Sequence, residues 1–418
     1  MTRDRLHFLL LNIGHFLDHL FSLIFATVAA LVLSKQWSIG YAELIAYATP
    51  GFVAFGVFAL PAGWLADRWS RDGMMVVFFA GIGAASILTG FANSPLQVGI
   101  GLFFVGMFAA IYHPVGLAIV TGKWRSMGMR IAVNGVWGNL GVAAAALATG
   151  ALIDGFGWRM AFILPGGFSI LVGGLYWLVM RENIHLEART PKPKGRPDTS
   201  HYTADYKALV LRVSAIVFLT TAVSSIVFQS TTFALPKIFD ERLQGLAARL
   251  SEWLGTIAQG GEGATEIGAL AFLVFATASA AQLVVGSLLD RFGPRPVFMA
   301  VAVIQIGFFT VMPGLVDGLA FLVALGFMLG AFGQIPINDF MIGKTAQGAY
   351  RARIYGVRYV VSFTVFALTL PLVAFVYDRW GFDTLFRILA GAAFVILLAV
   401  MLLPGRLPEP AEAPAAAE

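Results

Sequence analysis

The sequence predicts an all-α membrane protein: twelve transmembrane helices in two pseudo-symmetric six-helix bundles. Three observations predict it. Of the 418 residues, 58% are hydrophobic and only 12% are charged. Soluble domains carry about 25% charged residues, so most of this chain has no water-facing side. Twelve apolar stretches reach the roughly 20 residues that one crossing needs. They are 8–34, 41–66, 73–93, 96–121, 127–151, 158–180, 209–236, 266–289, 296–315, 318–343, 354–377 and 383–403, taken below as helices 1 to 12. Finally, two patterns of the first half return in the second.

Taken in order, residues 1–180 hold the first bundle. A charged, proline-rich linker, 181–208, contains "ARTPKPKGRPDTS". The second bundle is 209–405, and residues 406–418, ending "PEPAEAPAAAE", read as a disordered tail. Helix 1 does not read as a cleaved signal peptide: its apolar run is too long, polar residues interrupt it, and no small-residue cleavage site follows. With both termini on the cytoplasmic side of an inner membrane, only Lys35, Arg159, Lys237, Arg242, Arg249, Arg379 and Arg387 of the 28 Lys and Arg residues fall outside. That bias orients the protein. It also explains the net charge of +5 as topology, with no nucleic-acid partner. Cysteine is absent, which removes disulfides and thiolate metal sites.

The repeats lie at nearly one offset. "GWLADRWSRDG" (63–73) returns as "GSLLDRFGPRP" (286–296), so Gly63, Asp67 and Arg68 correspond to Gly286, Asp290 and Arg291. "IDGFGWRMAF" (153–162) returns as "YDRWGFDTLF" (377–386), one residue further along, matching Asp154, Gly157 and Phe162 to Asp378, Gly381 and Phe386. Two parallel six-helix halves are an arrangement that secondary transporters share.

The Gly63-to-Arg71 stretch and its copy resemble the signature loop of the major facilitator superfamily, and the likeness extends over nearly the whole chain. It implies a cytoplasmic loop between helices 2 and 3. There Asp67, Arg68 and Arg71, with Asp290, Arg291 and Arg295, would act as a conformational gate, holding an outward-facing state closed between the halves. The bland reading is a turn with solvated charges. Within the superfamily, "GHFLDHLFSLIFATVAAL" in helix 1, "AIYHPVG" in helix 4 and "VWGNLGVAAAALATG" in helix 5 resemble the fosmidomycin-resistance type of drug exporter, which implies proton-driven efflux. Two departures stand out: an extra histidine follows the helix 1 acid, and no proline follows Gly141. They leave the direction of transport open.

On a helical wheel, Asn12, His15, Asp18, His19 and Ser22 share one stripe of roughly 120°. A charge at the bilayer centre costs about 2.5–3.5 kcal/mol on insertion scales, so the stripe must face a cavity between the halves. Burial and a neighbouring imidazolium act oppositely on a carboxyl's hold on its proton. Asp18 is therefore the best proton carrier, with His15, His19 and His113 as relays. The alternative is that these groups only bond neighbouring helices. In helix 4, Tyr112, His113 and Pro114 put a histidine where proline loosens the helix. Helix 5 adds Asn134, Trp137 and Asn139 to the cavity set, with Gly135, Gly138 and Gly141 on a face suited to close packing. Arg130 reads as a positive-inside residue before an anion ligand.

The second half is less ionic. Gln229 in helix 7, Gln282 in helix 8, Gln305 in helix 9, and Gln334, Pro336, Asn338 and Asp339 in helix 10 are its polar groups. Pro336 falls within a residue of the Pro114 register, so both halves are expected to break a helix at equal depth. Asp339 is a second carrier or a partner of Lys344 or Arg358, and pairing is favoured. We read proton handling in the first half and substrate shape in the second. Residues 237–265 place Leu243, Leu246, Leu250, Trp253, Leu254 and Ile257 at helical spacing before Gly260 and Gly261. That is an outer amphipathic helix, an anchor on lipid or a cover over the mouth.

The favoured function is proton-coupled export of a small organic molecule by alternating access, by a protein able to work as a monomer. Proton-coupled uptake is the alternative. Divalent metal transport ranks lower, because the helix 1 spacing fits no closed site on one helix, and a receptor or scaffold ranks lower still. No resident metal, cofactor or enzymatic centre is expected, and no phosphate-cradling loop marks ATP as the energy source.

Overall fold

The computed structural model describes residues 2–123, 127–189, 204–254, 263–345 and 348–403. The tail and half of the linker, 190–203, lie outside these residues. Ten long apolar helices are continuous at the level of a crossing: Arg3–Gln36, Tyr41–Arg68, Arg71–Gly90, Pro95–Val120, Arg130–Phe156, Met160–Leu186, Ala208–Arg242, Ala264–Phe292, Pro294–Val311 and Asp317–Ile342. Helices 11 and 12 run through Gly348–Met401 and part at Gly381, whose φ of 70° is non-helical. The twelve expected helices are therefore all present.

Local chemistry sets the breaks. Ser70 starts helix 3 by accepting from Gly73 N–H at 2.9 Å, and Ser94 with Pro95 starts helix 4. The repeated glycines have a backbone reason: Gly157 (φ 84°) and Gly381 (φ 70°) both turn the chain in the left-handed region, where a side chain is disfavoured. Both halves also break their fourth helix where proline was expected to act. Helix 4 widens into a π-turn at Tyr112–Gly116, and helix 10 is interrupted at Gln334 between Gly333 and Ile335.

Small residues bring the helices together. A Cβ on Gly141 would lie 2.2 Å from the Phe16 carbonyl oxygen, so helices 1 and 5 touch backbone to backbone. Helices 5 and 8 join the halves in the same way: Cβ atoms on Gly150 and Gly268 would fall 2.3 Å and 2.5 Å from the carbonyl oxygens of Ala264 and Ala146. Leu171, Leu211, Leu283 and Leu368 are exposed on the outer surface. A water-soluble protein would bury these side chains; a bilayer solvates them.

The halves are closed at the face away from the chain ends. There Asp154 of helix 5 accepts from both the backbone N–H (2.7 Å) and the hydroxyl (2.5 Å) of Thr265, at the start of helix 8. The Tyr41 and Tyr377 rings meet edge to face at 5.3 Å. At the terminal face the two signature loops stay in their own halves. Asp67 pairs with Arg71 at 2.9 Å, Arg68 stacks over Trp64, and Arg295 donates to the Met401 carbonyl. Asp290 and Arg291 are exposed. Gly63 packs against Pro114 of its own half, and Gly286 has open space around it. The gate pairing between halves is thus not made in this state among the described residues, because the opposite face holds the closure.

The amphipathic segment forms a helix over Gln244–Leu254. It docks on the second half: Leu243 and Ala247 are buried, Leu246 and Leu250 pack against the core, and the Leu246 N–H donates to Asp317. Trp253 points outward, 80% exposed. The helix therefore lies beside its own bundle and does not roof the mouth between the halves. Ile257, Gly260 and Gly261 lie outside the described residues.

Candidate functional site

Between the halves lies a cavity of about 330 Å³. The first half contributes His15, Asp18, His19 and Ser22 from helix 1, Phe52 and Phe55 from helix 2, His113 and Leu117 from helix 4, and Gly135, Asn139 and Val142 from helix 5. The second half contributes Thr221, Ser224, Ser225, Phe228, Gln229 and Thr232 from helix 7, and Gln282 from helix 8. Helix 10 adds Gln334, Ile335, Asn338 and Asp339, and helix 11 adds Arg358, Ser362, Phe363 and Phe366. The predicted stripe of helix 1 does face the space between the halves.

Asp18 lies in this wall, 1% exposed. Its Oδ2 is 3.3 Å from His113 Nε2, and its Oδ1 is buried with no hydrogen-bond partner in the protein. His113 stands in the π-turn of helix 4, in reach of Asp18 on helix 1. Its ring is held edge-on by Phe55. His15 and His19, one turn apart, approach Nε2 to Nε2 at 3.2 Å. Gly138 makes room for this arrangement: a Cβ there would lie 2.7 Å from the His15 ring.

Four residues expected in the cavity stand elsewhere. Tyr112 and Asn134 are fully buried behind His15, and Asn12 is nearly so. Asn134 donates to Asn12 Oδ1 and to the Tyr112 hydroxyl, both at 2.9 Å, and its carbonyl meets His15 Nδ1 at 2.7 Å. Tyr112 stacks on the His15 ring and donates to the Leu11 carbonyl. These three bond one another behind His15, with Asn134 Oδ1 left unpartnered, and none of them lines the cavity. Trp137 is half-buried and does not line it. Arg130 stacks over Phe8, away from it.

Among its described residues the second-half wall is neutral but for one pair. Asp339 bonds Arg358, as favoured, so its charge is matched. Asn338 accepts from Thr220 at 2.9 Å, and Gln334 donates to the Ser224 carbonyl at 3.3 Å. Gln282 of helix 8 donates to Asn139 across the halves at 3.3 Å. Gln334 Oε1, Gln229 Nε2, Ser224 Oγ and Thr221 Oγ1 are buried without a protein partner, which leaves them able to bond a polar guest. Gln305 does not line the cavity; it packs against Gly330.

One buried polar cluster escaped the sequence reading. His7 Nε2 lies 2.8 Å from the Tyr176 hydroxyl and 3.1 Å from Asp72, and Tyr176 donates to Asp72 at 2.6 Å. It ties helices 1, 3 and 6 together near the terminal face. Asp72 follows Arg71 in the signature loop, and the fold buries it.

Comparison with known proteins places these features. The model of the Major Facilitator Superfamily matches residues 11–261 and 254–418. The puromycin resistance protein pur8 of Streptomyces alboniger is 31% identical over 141 residues, 33% of this chain and 26% of that protein. The quinolone resistance protein NorB of Staphylococcus aureus is 30% identical over 168 residues, 39% of this chain and 33% of NorB. The matches thus span only a quarter to a third of these relatives. Among solved structures, a mutant of the peptide transporter POT superposes with a TM-score of 0.75 at 13% identity, covering 96% of this chain and 97% of that one. A mutant of the nucleoside transporter NupG gives 0.67 at 16% identity, covering 94% and 99%. These likenesses show the fold. The family is one of transporters, not enzymes, and this chain is a multi-pass membrane protein that belongs to the Major Facilitator Superfamily.

Proposed function

We propose that the protein exports a small organic molecule in exchange for protons, by alternating access across a cytoplasmic membrane. The carrying observation is the buried Asp18–His113 contact in the cavity wall, with one carboxylate oxygen unpartnered. A carboxyl there can hold a proton, or give it up and pair with His113, depending on which side the cavity faces. Efflux is supported by the drug-resistance relatives, and the narrower fosmidomycin-resistance likeness rests on helices 1, 4 and 5. With both termini cytoplasmic, the present closure by Asp154, Thr265, Tyr41 and Tyr377 corresponds to an inward-facing state. The signature loops would then pair across the halves only after the cavity turns outward. One chain carries both halves, so a monomer embedded in lipid suffices, with substrate and protons as its partners.

The chemistry of the walls narrows the substrate. Phe52, Phe55, Phe228, Phe363 and Phe366 present aromatic surface, and the amides of Gln229, Gln282, Gln334 and Asn338 present neutral hydrogen bonds. The substrate class that fits is an apolar, aromatic-bearing compound with a few polar atoms. The test uses proteoliposomes under an imposed pH gradient, with puromycin and a quinolone as trial compounds and a thermal-shift screen to widen the set. Gradient-driven movement is expected. A substrate that the protein carries at an unchanged rate with and without the gradient would overturn proton coupling.

A further inference from the structure

Helix 1 alone offers no closed metal site, but the fold brings His113 of helix 4 to it. One ligand nitrogen from each of His15, His19 and His113 lies within 4.8 Å of the others. Asp18 Oδ2 is 3.3 Å from His113 Nε2. A tetrahedral zinc site with Zn–N bonds of about 2.0–2.1 Å has ligand–ligand edges of about 3.3 Å. The His15–His19 separation of 3.2 Å and the Asp18–His113 separation already match such edges. The other nitrogen–nitrogen edges, within 4.8 Å, shorten if the half-buried His19 and His113 rings turn inward, and Asp18 approaches the set from the His113 side.

The surroundings favour metal-ready histidines. A carbonyl oxygen only accepts, so the 2.7 Å contact with Asn134 puts the His15 proton on Nδ1 and leaves Nε2 with its lone pair facing the cluster. Outer-shell bonds of this kind orient metal-binding histidines. Tyr112 stacked on the same ring fixes its plane. The buried Asp18 Oδ1, without a hydrogen-bond partner, adds an oxygen donor beside the three ring nitrogens. Imidazole and carboxylate donors suit first-row divalent cations, whereas magnesium and calcium prefer oxygen-only shells.

We infer that His15, His19, His113 and Asp18 form a binding site in the central cavity for one first-row divalent cation of the zinc type. The inference stands apart from drug export, since the cation can bind whether or not an organic compound is carried. A cation so held occupies the carboxylate and nitrogens that the proposed proton path uses, so zinc and proton-driven transport are mutually exclusive on one molecule.

The experiment titrates zinc chloride into the full chain, purified in detergent with a tag free of histidine and stripped with chelator. Binding is read by calorimetry and by melting temperature, with magnesium chloride as control. One equivalent of zinc per chain is expected, with a rise in melting temperature that magnesium does not give. His19→Gln and His113→Gln should each weaken zinc binding about tenfold or more, with the metal-free melting temperature as the check on folding. If a variant fails to fold, cobalt(II) replaces zinc on the unaltered protein, and the visible spectrum of a tetrahedral nitrogen–oxygen site is expected. No saturable binding, undiminished binding in both folded variants, or an octahedral cobalt spectrum would overturn the site. Gradient-driven transport without zinc binding would leave the export proposal standing and remove this one.

Discussion

The two walls of the cavity differ in kind. The first half presents one carboxylate and three imidazoles, all on helices 1 and 4. Among the described lining residues the second half presents amides and hydroxyls, and its charged side chains, Asp339 and Arg358, pair with each other. The two halves share one repeated pattern, yet among the described cavity-lining residues only the first half presents ionisable groups other than the Asp339–Arg358 pair. If the protein works as proposed, the contrast assigns one job to each wall. Groups that change charge must be held by rigid neighbours, and His15 has Gly138, Tyr112 and Asn134 behind it. Groups that recognise a varied guest need spare bonding capacity, and Gln229, Gln334, Ser224 and Thr221 retain it.

The strongest way to break this contrast is Asp18→Asn. It removes the titratable group and keeps the shape. We expect gradient-driven transport to fall at least about a hundredfold, while substrate still binds, because each 1.36 kcal/mol lost is tenfold. Transport that survives in proteoliposomes would move proton handling off the first half. Next comes Gly138→Ala. Its Cβ would lie 2.7 Å from the His15 ring, so the ring must shift, and overpacking costs typically about 1–3 kcal/mol. A lower melting temperature and roughly tenfold slower transport are expected, and an unchanged protein would show that the His15 position is not tightly set.

Smaller effects should follow on the other wall. Gln334→Ala is expected to raise KM a few fold for some compounds and lower it for others, with the pH dependence of transport unchanged, since a net hydrogen bond is worth about 0.5–1.5 kcal/mol. A shifted pH dependence would mean that the walls share proton handling. The smallest effect is expected for Trp253→Ser on the docked outer helix. Its side chain is 80% exposed, so stability in detergent should change by no more than about 0.5 kcal/mol. A larger loss, or poor membrane insertion, would give that helix a structural part that its docking does not reveal.

The sequence by itself determined the number of helices, their pairing into repeats, and the face on which helix 1 carries its polar stripe. Those features are local: apolar length, periodicity and turn glycines such as Gly157 and Gly381 act through neighbours along the chain. Proline at 114 and 336 likewise announced where helices 4 and 10 would loosen, because a missing N–H has the same consequence in any surroundings. The sequence could not say which polar groups meet. Asn12, Tyr112 and Asn134 look as free as Asp18 in one dimension. Only the packing of helices 1, 4 and 5 bonds them to each other behind His15 and puts Asp18 in the cavity wall. The same holds for His7, Asp72 and Tyr176, which come from three distant stretches, and for the gathering of His113 with His15 and His19. Hydrogen bonds and ligand geometry act over about 3 Å, and which residues come that close is decided by tertiary structure alone.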